Sequence, residues 1–398
     1  MACADFAGNE IYFSGKKIME QENKRKIIYI SNVRMPTEKA HGIQMIKMSE
    51  AFSALGRELI FVVPRRRNRI KEDPFSYYGV KKIFRIVEVP VIDLINILPW
   101  IGYWLETISF IFVVFFKFLF ASRKNTIIYT REYFVAFLLN LIGFFTVYEA
   151  HRILLKKRLF FFLVRRVPFI ITNSDGTAEE FIKNGFKRVL ACPNGVDLAE
   201  FDFNTPKGEL RKFLDLPIDK KIVMYTGNLY DWKGTDTLIK SAEKLSGENI
   251  MFVFIGGTDE DIKIKRAEIK KLGVKNVVFL GHKNRKEIPR YLKSADCLIL
   301  PNSPISEESI KYTSPVKLAE YMASGIPIIS SNLPSLRAIL SEKSAFFVPP
   351  DDFEALKEAI LEILADEALS SGIAENALSE VKKYTWQKRA EKILEFIG

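Results

Sequence analysis

From Lys26 onward the chain alternates short apolar runs with stretches of helical spacing, and it does so in two successive series. Runs such as Ile27–Ser31 (IIYIS) and Lys221–Gly227 (KIVMYTG) have the continuous apolar character of strands buried on both faces. Buried parallel strands need crossover connections, which the helical stretches supply, so the fold class is α/β. The first series runs through Ile27–Ser31, Glu58–Pro64, Asn125–Thr130, Phe144–Ala150 and Phe169–Ser174. Between them, Ile43–Leu55 has helical spacing closed by Gly56, and Thr177, Glu180 and Gly185 fit the start and stop signals of a helix. Composition changes after Val189–Phe201, and Phe201–Pro217 reads as a linker entering a helix. The second series follows through Lys221–Gly227, Met251–Gly257, Asn276–His282, Asp296–Pro301, Ile326–Ser331 and Ser344–Pro349. No short tandem repeat is present.

A chain of 398 residues suits two such domains. The expected division is a polar leader over 1–26, a first domain over 27–200, a second over 201–378, and a C-terminal helix over 379–398 returning to the first. With 48% hydrophobic and 27% charged residues the composition is globular. Cys3, Cys192 and Cys297 are odd in number, far apart, and without a CxxC pair or His cluster. That supports neither a disulfide framework nor a zinc site, and a reducing cytoplasm is the natural compartment. The leader lacks the apolar core of a signal peptide.

Charge is unevenly placed. Residues 1–200 hold 30 Lys and Arg against 19 Asp and Glu, so the whole net charge of +11 lies there. A basic half suits an anionic partner, and without a nucleic-acid motif a membrane surface or lipid phosphate ranks above nucleic acid; ordinary solubilising charge is the competing reading. The Arg65–Arg69 run (RRRNR) and Lys156-Lys157-Arg158 read as exposed faces and as the candidates for such binding. The same half contains two dense apolar stretches, Leu94–Leu105 and Ile108–Phe116, parted by Glu106 and Thr107. Asn96, Pro99, Gly102 and Glu106 argue against a bilayer span, leaving a core helix or an interfacial anchor as the main alternatives.

The second half carries the chemistry. Lys221–Gly227 opens into NLYDWKG, which puts Lys233 and Gly234 at a loop-to-helix junction. Thr313, Ser314 and Pro315 then precede a helix, with Pro315 suited to its first position and Ser314 or Thr313 to its cap. Free amides at a helix start, with the helix dipole, make an anion site. A pyrophosphate could sit there with one lysine and no metal, while Glu320 on the same helix could accept two ribose hydroxyls. Gly325 ends that helix. Asp259-Glu260-Asp261 resembles a metal-binding DxD but reads as a solvated acidic loop, and no GxGxxG, P-loop or GxSxG is present.

These segments, in this order, resemble the retaining GT-B glycosyltransferases of family 4 (group 1). The matching residues are Cys192–Asp197 (CPNGVD), Tyr225–Gly234, Phe254–Gly257, Phe279–Pro301 and Ser314–Ile329, with Lys39–Gly56 and Val147–His151 (VYEAH) in the first half. The resemblance implies two Rossmann-like domains across a central cleft, a nucleotide-sugar donor, a glycan or lipid-linked acceptor, and no cofactor or metal. It implies a cytoplasmic protein, peripheral on the inner face of a membrane. Lys233 would meet the donor pyrophosphate, Glu320 the ribose, and backbone around Gly281, His282 and Lys283 the base. Amides near Ser314–Lys317 would cradle the phosphates, with Thr313, Ser314, Pro315, Val316 and Lys317 counted as donor-binding residues together with Gly227, Asn228 and Gly256. Gly42 would let the first-domain loop approach the sugar, and His151 would sit beside it as a catalytic residue. His41 and Arg131 stand between ligand and structural roles.

Three departures stand out: the first-domain loop reads His41-Gly42 where the family has Gly-Gly, and two more fall in the second half. Asn228 occupies the place where the family commonly has arginine, and Tyr312 the place of a glutamate eight residues before Glu320. A nucleotide-sugar epimerase and a non-catalytic GT-B scaffold are the alternative readings.

Overall fold

The computed structural model describes residues 25–153 and 157–398; residues 1–24 of the expected leader, with Cys3, and Lys156 lie outside the described residues, and Lys26, assigned to the leader, opens the first strand. The chain forms two compact units, Met1–Thr172 with Glu180–Leu190 and Ala390–Gly398, and Asn173–Glu179 with Ala191–Arg389.

The first unit holds a seven-stranded sheet in the order β3-β2-β1-β4-β5-β6-β7. Its strands are β1 (Lys26–Ile30), β2 (Leu59–Arg65), β3 (Arg85–Pro90), β4 (Thr126–Thr130), β5 (Phe145–Ala150), β6 (Phe169–Thr172) and β7 (Val189–Ala191). Pairing from β3 through β6 is parallel, with Ile27 opposite Leu59 on one side and Ile127 on the other. Strand order reverses between β1 and β4, the point where ligands of open α/β sheets bind. The central strands read as apolar runs because both faces are covered. At the edge, β3 (RIVEVP) is mostly half-buried or exposed, and the apolar-run criterion passes over it.

The helix Ala40–Ala54 begins earlier than its apolar spacing suggests, taking in His41 and Gly42, and Gly56 leaves it at a φ of 81°. The helix Asp175–Lys183 also starts early. Ser174, not Thr177, provides the terminal bond, its Oγ accepting from the Thr177 amide at 3.3 Å.

The two dense apolar stretches are one helix, Pro99–Leu119, and it is not a core helix. Its buried residues are Gly102, Glu106, Phe110, Val114 and Phe118, a single stripe at a spacing of four. Gly102 lies against the Leu94–Ile95 backbone, where a Cβ would come within 2.4 Å, and Glu106 accepts from Asn32 Nδ2 at 3.1 Å. Phe110, Val114 and Phe118 pack with Ile28, Ile30 and Val62 of the sheet and with Val135 and Leu139 of the next helix, Tyr133–Leu141. The other face leaves Trp100, Tyr103, Trp104, Ile108, Phe112 and Phe116 exposed. This helix is long and apolar enough to cross a bilayer by length and composition.

The second unit is built on a six-stranded, wholly parallel sheet in the order β10-β9-β8-β11-β12-β13. Here the strands are β8 (Lys221–Thr226), β9 (Ile250–Ile255), β10 (Val277–Phe279), β11 (Cys297–Leu300), β12 (Ile328–Ser331) and β13 (Phe346–Val348). This is the Rossmann order, with its reversal between β8 and β11. Two apolar clusters, around Met224, Leu298 and Tyr321 and around Val223, Phe252 and Ile299, form its core. Asp259-Glu260-Asp261 is the first turn of the helix Asp259–Lys271 and not a loop. Thr258 and Asp261 cap it reciprocally, at 3.1 and 3.0 Å, and the acids face the positive end of the helix dipole.

Candidate active site

Three strands of the second sheet run out into glycine at their C-terminal ends. Gly227, Gly256 and Gly281 follow β8, β9 and β10 with φ of 135°, 107° and 71°. The Gly227 amide donates to Ile255 and the Gly256 amide to Gly281, both at 2.8 Å, so the three ends stack. A Cβ on Gly256 would come within 2.4 Å of the Gly227 carbonyl oxygen, so only glycine fits that approach. Beside Gly281 lies a cavity of about 380 Å³, walled by Arg266, Phe279 and Ile262 among others. His282, next in sequence, is exposed. Tyr225 donates from its hydroxyl to the Asn228 carbonyl at 2.6 Å, which fixes the loop after β8 through backbone.

That loop delivers Lys233. It closes a short 3-10 turn, Asp231–Lys233, and Gly234 follows at a φ of 68° against the Pro301 carbonyl after β11. The glycine lets the loop cross the point of strand reversal. The Lys233 ammonium stands 3.7 Å over the Trp232 ring. Burial lowers its pKa to about 8, partly opposed by the charge of Glu308. Asn302, at the end of β11, is wholly buried and neither side-chain amide atom has a partner among the described residues. No sequence signal distinguished it.

The helix start differs from expectation in one respect. Pro315 is the N-cap residue and Val316 the first residue of the helix Val316–Ser324, which has no side-chain cap. Ser314 is drawn away by Asn194, whose amide donates to Ser314 Oγ at 3.2 Å and whose Nδ2 donates to its carbonyl at 2.7 Å. Thr313 is buried beside it. The first-turn amides are therefore not engaged by a capping side chain. Gly325 ends the helix at a φ of 68°. Lys317 is buried in the first turn, and Glu320 is buried one turn later. Glu320 forms an ion pair with Arg285, which also reaches Glu200 at 3.6 Å. Those carboxylates raise the Arg285 pKa against the opposing effect of its burial. Arg285 lies in the same loop as His282 and was not singled out by sequence.

In the first unit the residues of interest gather where β1, β4 and β5 end. Glu149, buried in β5, accepts from Gln44 Nε2 at 2.8 Å and from the Tyr29 hydroxyl at 3.3 Å, and pairs with His151 Nε2 at 2.8 Å. Arg131 donates to Gln44 Oε1 at 3.0 Å. Glu149 thus orients the His151 ring. At His41, burial first, then the charges of Arg131, Lys39 and His151, lower the pKa to about 4, so it is neutral at physiological pH. Gly42 is buried inside the helix Ala40–Ala54, and its missing side chain leaves room for the Tyr78 hydroxyl.

Two Rossmann-like units of this order define the GT-B class, and similarity to solved structures agrees. Anabaena HepE in complex with UDP and glucose matches 93% of this chain and 98% of its own, with a TM-score of 0.72 at 17% identity. Residues 206–380, within the second half of the chain, match the family model described as glycosyl transferases group 1. Among curated relatives, an uncharacterized glycosyltransferase of Methanocaldococcus jannaschii is 27% identical over 232 residues, 56% of this chain and 58% of that protein. An Escherichia coli UDP-Gal:alpha-D-GlcNAc-diphosphoundecaprenol alpha-1,3-galactosyltransferase is 26% identical over 215 residues, 52% and 53% of the two chains. The chain thus spans a little over half the length of these curated relatives.

Proposed function

We propose that the chain is a retaining glycosyltransferase, moving a sugar from a nucleoside-diphosphate donor to a glycan or lipid-linked acceptor in cell-surface polysaccharide or glycolipid synthesis. The observation that carries this reading is Lys233, a half-buried amine set where the strand order of the second sheet reverses. A cation there stabilises negative charge as it develops on a departing diphosphate, and buried surroundings strengthen the effect. Glu320 takes the ribose hydroxyls in exchange for part of its contact with Arg285, and the loop at Gly281 and His282 takes the base. His151, held by Glu149, serves the transferred sugar. The chemistry is metal-independent, with lysine and helix amides meeting the diphosphate. The UDP and glucose in complex with HepE and the diphosphoundecaprenol acceptor in the name of the E. coli relative support this assignment of donor and acceptor class. The test is a panel of nucleotide sugars with and without chelator. Thermal protection by one nucleoside diphosphate and turnover that survives EDTA are expected. No protection by any of them overturns the reading, and binding without transfer to any acceptor reassigns the chain as a scaffold.

The acceptor reaches the first unit, in this reading, at the cytoplasmic face of an anionic membrane. Trp100, Trp104 and Phe112 lie on the open face of the helix Pro99–Leu119, with Trp100 76% exposed. Tryptophan and tyrosine suit the headgroup region. Cationic side chains stand nearby: the Arg67 amide donates to Asp93 Oδ2 at 2.8 Å, tying the exposed Arg65, Arg67 and Arg69 to the segment entering that helix. Vesicles of phosphatidylglycerol should bind the protein and vesicles of phosphatidylcholine should bind it weakly. Salt and the pair Trp100→Ser and Trp104→Ser should each release it; equal binding to both vesicles by all forms refutes the surface.

A further inference from the structure

Lys317 is a buried amine of the second unit without a hydrogen-bond partner among the described residues. It lies in the first turn of the helix Val316–Ser324, with 9% of its surface exposed. The position of that helix is fixed from the same face, one turn on, where the Thr226 amide donates to the Tyr321 hydroxyl at 2.8 Å. Held this way, the Lys317 ammonium stands 3.9 Å over the Tyr225 ring and 3.5 Å from where a Cβ on Gly227 would lie. Gly227 therefore keeps open the space next to the amine. Burial, and then the positive charge of Lys233, push the Lys317 pKa well down, with Glu320 opposing.

Buried charges in proteins are paired, because an unpaired one loses its hydration without return. Here the Lys317 amine has nothing to bond, and the like charge of Lys233 opposes its protonation. A cation–π contact with Tyr225 offsets part of the cost but satisfies none of the three N–H donors. The partner that would satisfy both is an anion of more than one charge, placed between the loop after β8 and the start of the helix. Helix-start amides that no side chain caps face the same requirement.

We propose that the Lys317 side chain is the second cation of the diphosphate site, acting with Lys233 so that the site selects nucleoside diphosphates over monophosphates. This rests on the nucleotide-sugar reading above. It also accounts for Asn228: the loop after β8 carries no second cation there because the helix Val316–Ser324 supplies one from the opposite side. Bond-making is not involved; Lys317 binds and lowers the charge of the leaving diphosphate.

The experiment compares full-length wild type with Lys317→Met, which keeps the length of the side chain and removes the charge. Thermal unfolding of each is measured alone, and calorimetric affinities are taken with UDP, GDP and ADP and their monophosphates. Wild type should bind one diphosphate at least tenfold tighter than its monophosphate. Lys317→Met should lose most of that ratio while its monophosphate affinity stays within about threefold, and its unliganded midpoint should equal or exceed that of wild type. An unchanged ratio overturns the proposal. So does a lower unliganded midpoint, which makes Lys317 a structural cation held by Tyr225. If wild type binds none of the three diphosphates, the nucleotide-sugar reading itself fails, a result distinct from either.

Discussion

Replacing Gly42 by alanine separates two explanations of that glycine. If it exists to let a ligand approach, alanine should leave stability alone and harm turnover. The structure gives it another reason: a Cβ would come within 2.2 Å of the Tyr78 hydroxyl and 2.6 Å of Thr37 Cγ2. That hydroxyl accepts from the Thr37 amide at 2.8 Å and donates to the Thr37 carbonyl at 2.7 Å, clamping the loop before the helix. Displacing it loses two hydrogen bonds, about 1 kcal/mol each, and adds an overpacking cost of about 1–3 kcal/mol. Alanine recovers up to about 1 kcal/mol of helix propensity, less so in a first turn. The net expectation is a loss of about 2–4 kcal/mol. Tyr78→Phe alone should cost about 1–2 kcal/mol, from the unbonded Thr37 groups. Combined, the two changes should cost about 2 kcal/mol less than their sum, because the second removes the atom the first collides with. Equilibrium urea unfolding, followed by fluorescence and circular dichroism, measures all three. A stable Gly42→Ala protein, or strict additivity, refutes the clamp and restores the ligand explanation.

Three further outcomes follow from the site. Lys233→Met should cut turnover with the best nucleotide sugar about 100-fold or more, near 3 kcal/mol of transition-state stabilisation, and His151→Ala should also lower it; wild-type rates in both remove the residue assignments. Diphosphate affinity should fall as pH rises through about 8. Lys233, lowered to about 8 by burial, carries its proton and its attraction below that value and loses both as pH rises through it, with Glu308 and Lys317 as the charged neighbours; affinity that is flat to pH 9.5 by calorimetry contradicts this. Arg285→Ala strands the buried Glu320 carboxylate, so the unliganded second unit should lose about 3 kcal/mol, read as a fall in the thermal midpoint of the nucleotide-free protein; an unchanged midpoint removes the pair from the account.

What could be read from sequence divides along a physical line. Burial of a residue by itself leaves a local mark: β1 and β8 are apolar throughout because both faces are covered, whereas β3, at an edge, leaves a weaker one. Glycines at 227, 234 and 325 were legible in the same way, since backbone demands fall on one residue. Pairing across the chain leaves no such mark. Gly102 and Glu106 look like interruptions in an apolar stretch until Leu94 and Asn32 are placed against them. Thr313 and Ser314 look like caps until Asn194 takes Ser314. The site repeats the pattern with charge: Glu320 was recognisable from its place on a helix, but Arg285, which holds it, comes from a separate 3-10 turn. Lys317 makes the strongest case, because its significance lies in a partner that the protein does not provide. A lysine at a helix start is common, and only three-dimensional surroundings of Tyr225, Gly227 and Lys233 turn it into an unmet charge. Specificity for the anion is therefore set by how two loops and one helix converge, and a substitution that changes any of the three should alter ligand choice before it alters the fold.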